Sequence, residues 1–209
     1  MSHIVLLGDS IFDNGVYVPG QPDVVKQLRS ALPDAWTATL CAVDGAVTRS
    51  VAGQLARIPS GATHLVVSVG GNDALGESHL LSSGVRMVAE AISLLAEAQE
   101  RFARAYVDML RSVLGMELPT AVCTIYDTPS TAPNHRVIRS ALALFNDVIT
   151  RAAFSEGLPL IDLRLICSED EDYANPIEPS AKGGEKIAAA IARLVSDEDA
   201  DSQSVVIAH

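Results

Sequence analysis

The chain has 209 residues, 48% of them apolar and 20% charged, which describes a globular protein long enough for one domain with a large core. Twenty-six acidic residues oppose fifteen basic ones, and the formal charge of −11 repels phosphate backbones and anionic bilayers, arguing against nucleic acid or a membrane surface as partner. No window approaches the ~20 uninterrupted apolar residues of a membrane span, and the first residues lack the basic-then-apolar pattern of a secretory leader, so a soluble, cytoplasmic protein is expected.

Ile4 to Leu7 is an unbroken apolar run closed by Gly8, the pattern of a buried strand ending in a tight turn. Asp9 and Ser10 follow at the strand's carboxyl end, where open α/β sheets bind ligands; the same two residues also suit a helix N-cap. Asp23 to Leu32 spaces Val24, Val25, Leu28, Ala31 and Leu32 at helical intervals before Pro33. Trp36 to Cys41 reads as a second strand, leaving through Asp44-Gly45-Ala46-Val47-Thr48-Arg49. Gly45 either serves a turn or presents its backbone N–H to a ligand. Arg49, nearby, has the reach to hold an anionic group on a substrate, or forms a surface ion pair.

His64 to Val69 is a third β-forming run and ends in Gly70-Gly71-Asn72-Asp73, a turn sequence that also places an amide donor at the active edge. From Ser82 to Leu114 apolar residues recur at helical spacing, predicting one long helix or two in tandem, with Val85, Val88, Ile92, Met87 and Met109 as core filling. Thr120 to Ile125 is a fourth strand, Tyr126 to His135 a proline-containing loop, Val137 to Phe154 a helix, Pro159 to Leu163 a fifth strand and Ser180 to Val195 the last helix. The acidic runs Ser168–Asp172 and Ser196–Asp201 read as solvated, with 196–209 a mobile tail after a single domain spanning 1–195. Alternating strands and helices imply a parallel sheet covered on both faces. Dinucleotide, P-loop and nucleophile-elbow signatures are missing, and Cys41, Cys123 and Cys167 are odd in number and without zinc spacing, so no metal or cofactor is expected and the thiols read as buried and free.

Three of these stretches together resemble the GDSL, or SGNH, hydrolases, a family of esterases and lipases. Gly8-Asp9-Ser10-Ile11 resembles the block that opens that family, Gly45 its oxyanion glycine, and Gly70-Gly71-Asn72-Asp73 its Gly-x-Asn-Asp block. The resemblance implies an α/β/α sandwich around a five-stranded parallel, flavodoxin-like sheet. It also implies that Ser10 is the nucleophile of an esterase or thioesterase acting on a small acyl ester, and that the Ser10 N–H, the Gly45 N–H and the Asn72 amide form an oxyanion hole.

The family's fourth block, Asp-x-x-His before the final helix, is altered here. The matching segment is Asn175-Pro176-Ile177-Glu178, so Asn175 stands where the acid is expected and Glu178 where the histidine is expected. Since a serine hydroxyl needs a neighbouring base, Glu178 is the candidate, with its ordinary pKa of ~4.3 raised by partial burial. Asp9, Arg49, Asp73 and Asn175 are supporting candidates. His79 and His135, near active-edge loops, are the other bases to consider. Two further readings stay open: a metal-assisted phosphoesterase using Asp9, Asp13, Asp73 and Asp127, and a binding module that has lost its base.

Overall fold

Five parallel strands, β1 (His3–Gly8), β2 (Thr37–Leu40), β3 (His64–Ser68), β4 (Thr120–Cys123) and β5 (Leu160–Ile161), pair in the order β2-β1-β3-β4-β5, the flavodoxin-like order expected. The computed structural model describes residues 2–196, so all but the first residue of the predicted tail lies outside the described residues. β1 is interior to the sheet, pairing with β2 on one side and β3 on the other. Its side chains alternate: Ile4 and Leu6 pack toward one core, Val5 and Leu7 toward the other. That is why its sequence is a continuous apolar run rather than an alternating one.

On the first face lie α1 (Val24–Ala31), whose buried Val24, Val25 and Leu28 meet the sheet, and α7 (Ala181–Ser196), which contributes Ile187, Ala188 and Ile191. The opposite face is covered by α2 (Val51–Leu55), α4 (Val88–Leu114) and α5 (His135–Ser155), through Val51, Phe102, Tyr106, Leu110, Phe145 and Ile149. The short helices α3 (Gly71–Gly76) and α6 (Leu163–Ile166) follow β3 and β5. An antiparallel pair, β6 (Tyr173–Asn175) and β7 (Glu178–Pro179), precedes α7. The result is a three-layer α/β/α sandwich.

Three local expectations are corrected. The long helix starts at Val88, not Ser82; Val85, Met87, Val88 and Ile92 are exposed, and its buried face begins at Ala98. A helix of 27 residues is ~40 Å long, whereas even the longest strand, the six residues of β1, spans only ~20 Å, so the helix's first turns overhang the sheet and are exposed. The fifth strand closes at Ile161, because the Asp162 carboxylate accepts the Arg164 N–H (3.1 Å) and the Thr124 hydroxyl (3.0 Å), capping α6 instead. Finally, the run Ser168–Asp172 is not wholly solvated. Asp172 is fully buried, accepting from Lys186 Nζ (2.8 Å) and the Glu169 N–H (3.0 Å), while Lys182 reaches Glu169 at 2.6 Å. The three cysteines are buried and free.

Candidate active site

The turn after β1 is fixed from two sides. Gly8 has φ +127°, and a Cβ there would stand 1.8 Å from the Ser68 carbonyl oxygen of β3. The buried Gln54 of α2 grips the same residue, accepting the Gly8 N–H and donating to the Gly8 carbonyl, both at 2.7 Å. The Asp9 N–H then bonds the Ser68 carbonyl, and the Phe12 and Asp13 N–H groups bond the Asp9 carbonyl. This coil carries Ser10, 5% exposed, at the sheet's carboxyl edge, and the Ser10 N–H meets no acceptor among the described residues.

The loop leaving β2 is bound to this turn, since the Val43 N–H donates to the Gly8 carbonyl (3.1 Å) and the Asp44 N–H to Asp13 Oδ2 (2.9 Å). Gly45 follows with φ +75°, exposed, and among the described residues its N–H also lacks an acceptor. From β3 comes α3, whose first turn holds the same loop: Asn72 Nδ2 donates to the Ala46 carbonyl (3.0 Å), and Asp73 Oδ2 accepts the Thr48 N–H (2.8 Å) and hydroxyl (2.9 Å). One of the two Asn72 N–H bonds is thereby committed and one is left. Burial raises the pKa of Asp73, opposed by these Thr48 bonds and by the charge of Arg49. Arg49 itself is exposed.

Glu178 arrives on the β6–β7 hairpin, where Asn175 pairs directly with it. Asn175 Oδ1 accepts the Ile177 N–H (3.0 Å), closing the turn, and the Tyr126 hydroxyl donates to the Ile177 carbonyl (2.9 Å). Asn175 therefore shapes the turn that presents Glu178. Glu178 is 4% exposed, and its Oε2 has no hydrogen-bond partner among the described residues. Burial pushes its pKa up to about 7; the influence of the nearby Ser10 hydroxyl opposes the rise, and the charge of Asp44 adds to it. Asp9, 2% exposed, is pushed up to about 8 by burial, opposed by the Ile11 N–H on its Oδ1 (3.1 Å) and reinforced by the charges of Glu178 and Asp73.

Ser10, Asp9, Asn72 and Glu178 thus line one cavity of about 360 Å³, walled mainly by apolar side chains. Gly45, Arg49, Asp73 and Asn175 stand outside its lining, the last two as supports of the loops that form it. His79 and His135 are outside it too: the His79 ring lies 3.2 Å from the Gly76 carbonyl, that of His135 3.1 Å from the Thr128 hydroxyl. The four carboxylates of the phosphoesterase reading do not converge. Asp13 is bound to the Asp44 N–H, Asp73 to Thr48 and Asp127 to Arg139 (3.3 Å), and among the described residues no group of three or more His, Cys, Asp or Glu could hold a metal.

Sequence reasoning missed three positioning amides and one hydroxyl. Besides Gln54, the fully buried Asn14 accepts the Val24 N–H (3.0 Å) and donates to the Pro179 carbonyl (3.3 Å), tying the Ser10 turn to the strand that carries Glu178. Asn146 grips both backbone groups of Ile125 at 2.8 Å, as Gln54 grips Gly8, and Tyr126 holds the hairpin. The available signal was a lone amide interrupting an apolar helical face, as Asn146 does between Phe145 and Val148.

The profile of the "GDSL-like Lipase/Acylhydrolase family" matches residues 6–186. Similar solved structures include an extracellular lipase from Streptomyces rimosus and a phospholipase A1 from Streptomyces albidoflavus, each 17% identical, with TM-scores of 0.66 and coverage of 94% of this chain and 99% of theirs. The native aryl esterase of M. smegmatis is 15% identical with a TM-score of 0.61, over 94% of this chain and 99% of its own. No curated protein sequence matches. The fold and the family profile together define an ester-bond hydrolase. The chain belongs to the GDSL-like lipase/acylhydrolase family.

Proposed function

We propose that this chain hydrolyses acyl esters through an acyl-enzyme on Ser10, with Glu178 as general base. The observation that carries this reading is that Ser10 and the buried carboxylate of Glu178, whose pKa is pushed up to about 7, line the same mainly apolar cavity. A base of that strength is half ionised near neutrality and still basic enough to take a proton in the transition state. Glu178 accepts the Ser10 proton as Oγ attacks the ester carbonyl, then returns it to the leaving alcohol as the tetrahedral intermediate collapses. A water, deprotonated by the same carboxylate, cleaves the acyl-enzyme and regenerates the serine. The similar structures are a lipase, a phospholipase A1 and an aryl esterase, names that all denote ester cleavage, which supports an acyl-ester reading.

The developing oxyanion would be met by the Ser10 and Gly45 N–H groups, both without acceptors, and by the second N–H of Asn72. A neutral amide stabilises that charge without a counter-charge to reorganise. Asn72→Ala is therefore expected to lower kcat roughly 10²-fold with a smaller change in KM, and steady-state kinetics on an aryl ester separates the two. An equal loss of rate and of melting temperature would assign Asn72 to holding the Ala46 loop alone.

The direct test is a fluorophosphonate probe, which phosphonylates an activated serine. Stoichiometric labelling of Ser10 in the native protein and none in Ser10→Ala is the expected result, with the circular dichroism spectra of the two superimposable. An unlabelled but hydrolytically active native protein would remove Ser10 from the mechanism.

A further inference from the structure

The geometry points to the cavity beside Ser10 as an acyl-chain subsite that selects a neutral, medium-chain acyl group over acetyl and over acyl groups or leaving groups carrying negative charge. The inference rests on the acyl-hydrolase reading above and narrows it. A methyl group would fill little of about 360 Å³, a volume at the lower end of that of whole small-molecule sites. The cavity's lining joins Ser10 and Glu178 to Ala74 and Leu75 of α3, Leu95 and Ala98 of α4 and Phe145 of α5. Ala141 and Leu142 of α5 form a side wall. An acyl chain carried on Ser10 Oγ and lodged among these residues would meet mainly hydrocarbon.

Charge sets the second half of the selection. The carboxyl groups lining the cavity are Asp9, Glu77, Asp127 and Glu178, beside the phenol of Tyr126, and among the described residues none of the lining groups is Lys, Arg or His. Glu77 is matched by Arg101 (2.9 Å) and Asp127 by Arg139 (3.3 Å), while Asp44 adds its charge beside Glu178. An anionic acyl terminus would thus be desolvated with no cation to meet it. A polyphosphorylated leaving group would approach a chain of formal charge −11.

The experiment compares kcat/KM for p-nitrophenyl esters from acetate to decanoate. Each methylene buried should raise the value about threefold to fourfold, the factor that ~0.8 kcal/mol gives. Over the six methylenes from acetate to octanoate the rise should approach about 10³ if all are buried, and level off beyond. Two charge pairs accompany it. The p-nitrophenyl monoester of adipate should be cleaved at least ~10-fold more slowly than the hexanoate, and octanoyl-coenzyme A more slowly than the octanoyl thioester of N-acetylcysteamine. Narrowing the wall with Ala141→Leu, or Leu142→Trp if the first alters folding, should lower the octanoate-to-acetate ratio.

Octanamide binding to Ser10→Ala, by calorimetry, tests the subsite without catalysis and should exceed acetamide binding. Should the native protein escape the fluorophosphonate probe yet show these preferences, the subsite stands and the nucleophile alone is reassigned. A flat or falling chain-length profile, an adipate monoester cleaved as fast as the hexanoate, or octanamide binding no tighter than acetamide would overturn the subsite even with Ser10 fully labelled.

Discussion

Glu178→Gln is expected to lower kcat/KM by roughly 10²–10⁴-fold, the range general-base catalysis contributes, while making the folded protein more stable in alkaline solution. The kinetic half follows from removing the group that takes the Ser10 proton while keeping its shape. In the native protein kcat/KM should rise with pH through an apparent pKa near 7 and then level off, because the carboxylate must be ionised to act. The ionisation of Asp9, pushed up to about 8 beside it, makes the measured values a property of the pair.

The stability half follows from the direction of the shift. The carboxyl of Glu178 moves from 4.5 in the unfolded chain to about 7 in the folded one. Between those values the folded protein holds a proton that the unfolded chain has released, so stability falls as pH rises and stays lowered above 7. Glutamine carries no such charge. Its gain should be on the order of 1–2 kcal/mol above pH 7, less than the full shift implies because the new amide inherits an unpartnered position, and should vanish below pH 4.5. Thermal melts at pH 4.5 and pH 8.5 read the difference. A variant as active as the native protein at every pH, melting identically at both, would show that Glu178 is neither the base nor a strained charge.

What the sequence disclosed and what it hid divide along physical lines. Strand positions were readable because β1 and β3 are buried on both faces and must be apolar throughout, and that Ser10, Asn72 and Glu178 would lie at one edge was readable because each comes just after such a run or just before the last helix. Gln54 was not, because its meaning lies in a backbone 46 residues away. Asp172 was read as solvent-facing for a similar reason: nothing in an acidic run tells which carboxylate will find Lys186. The overhang of α4 was hidden because periodicity records which residues could face a core but not how far the core extends.

The same substitution at two glycines of the site should separate folding from catalysis. Gly8 and Gly45 both have φ in the left-handed half of the map, +127° and +75°, where an L side chain is strained. At Gly45 nothing stands within 4 Å of an added Cβ, so Gly45→Ala should carry only backbone strain of about 1–2 kcal/mol and keep its N–H. At Gly8 the added carbon would lie 1.8 Å from the Ser68 carbonyl oxygen and 2.6 Å from its carbon. Those atoms belong to the main chain of β3, whose register with β1 pairs Gly8 with Ser68, so no side-chain rotation relieves the overlap. Either the strands part, with the Asp9–Ser68 bond and both Gln54 bonds lost, or the turn rebuilds and Ser10 leaves Glu178. Combined strain and overpacking of at least ~4 kcal/mol is a large part of the ~5–15 kcal/mol that holds a domain folded. Urea unfolding should therefore find Gly45→Ala folded with a modestly lower midpoint, and Gly8→Ala unfolded or nearly so without denaturant. A Gly8→Ala midpoint within about 1 kcal/mol of the native protein would mean that the β1 turn has slack enough to move, and that Ser10 is not held in place by the packing of Gly8 on β3.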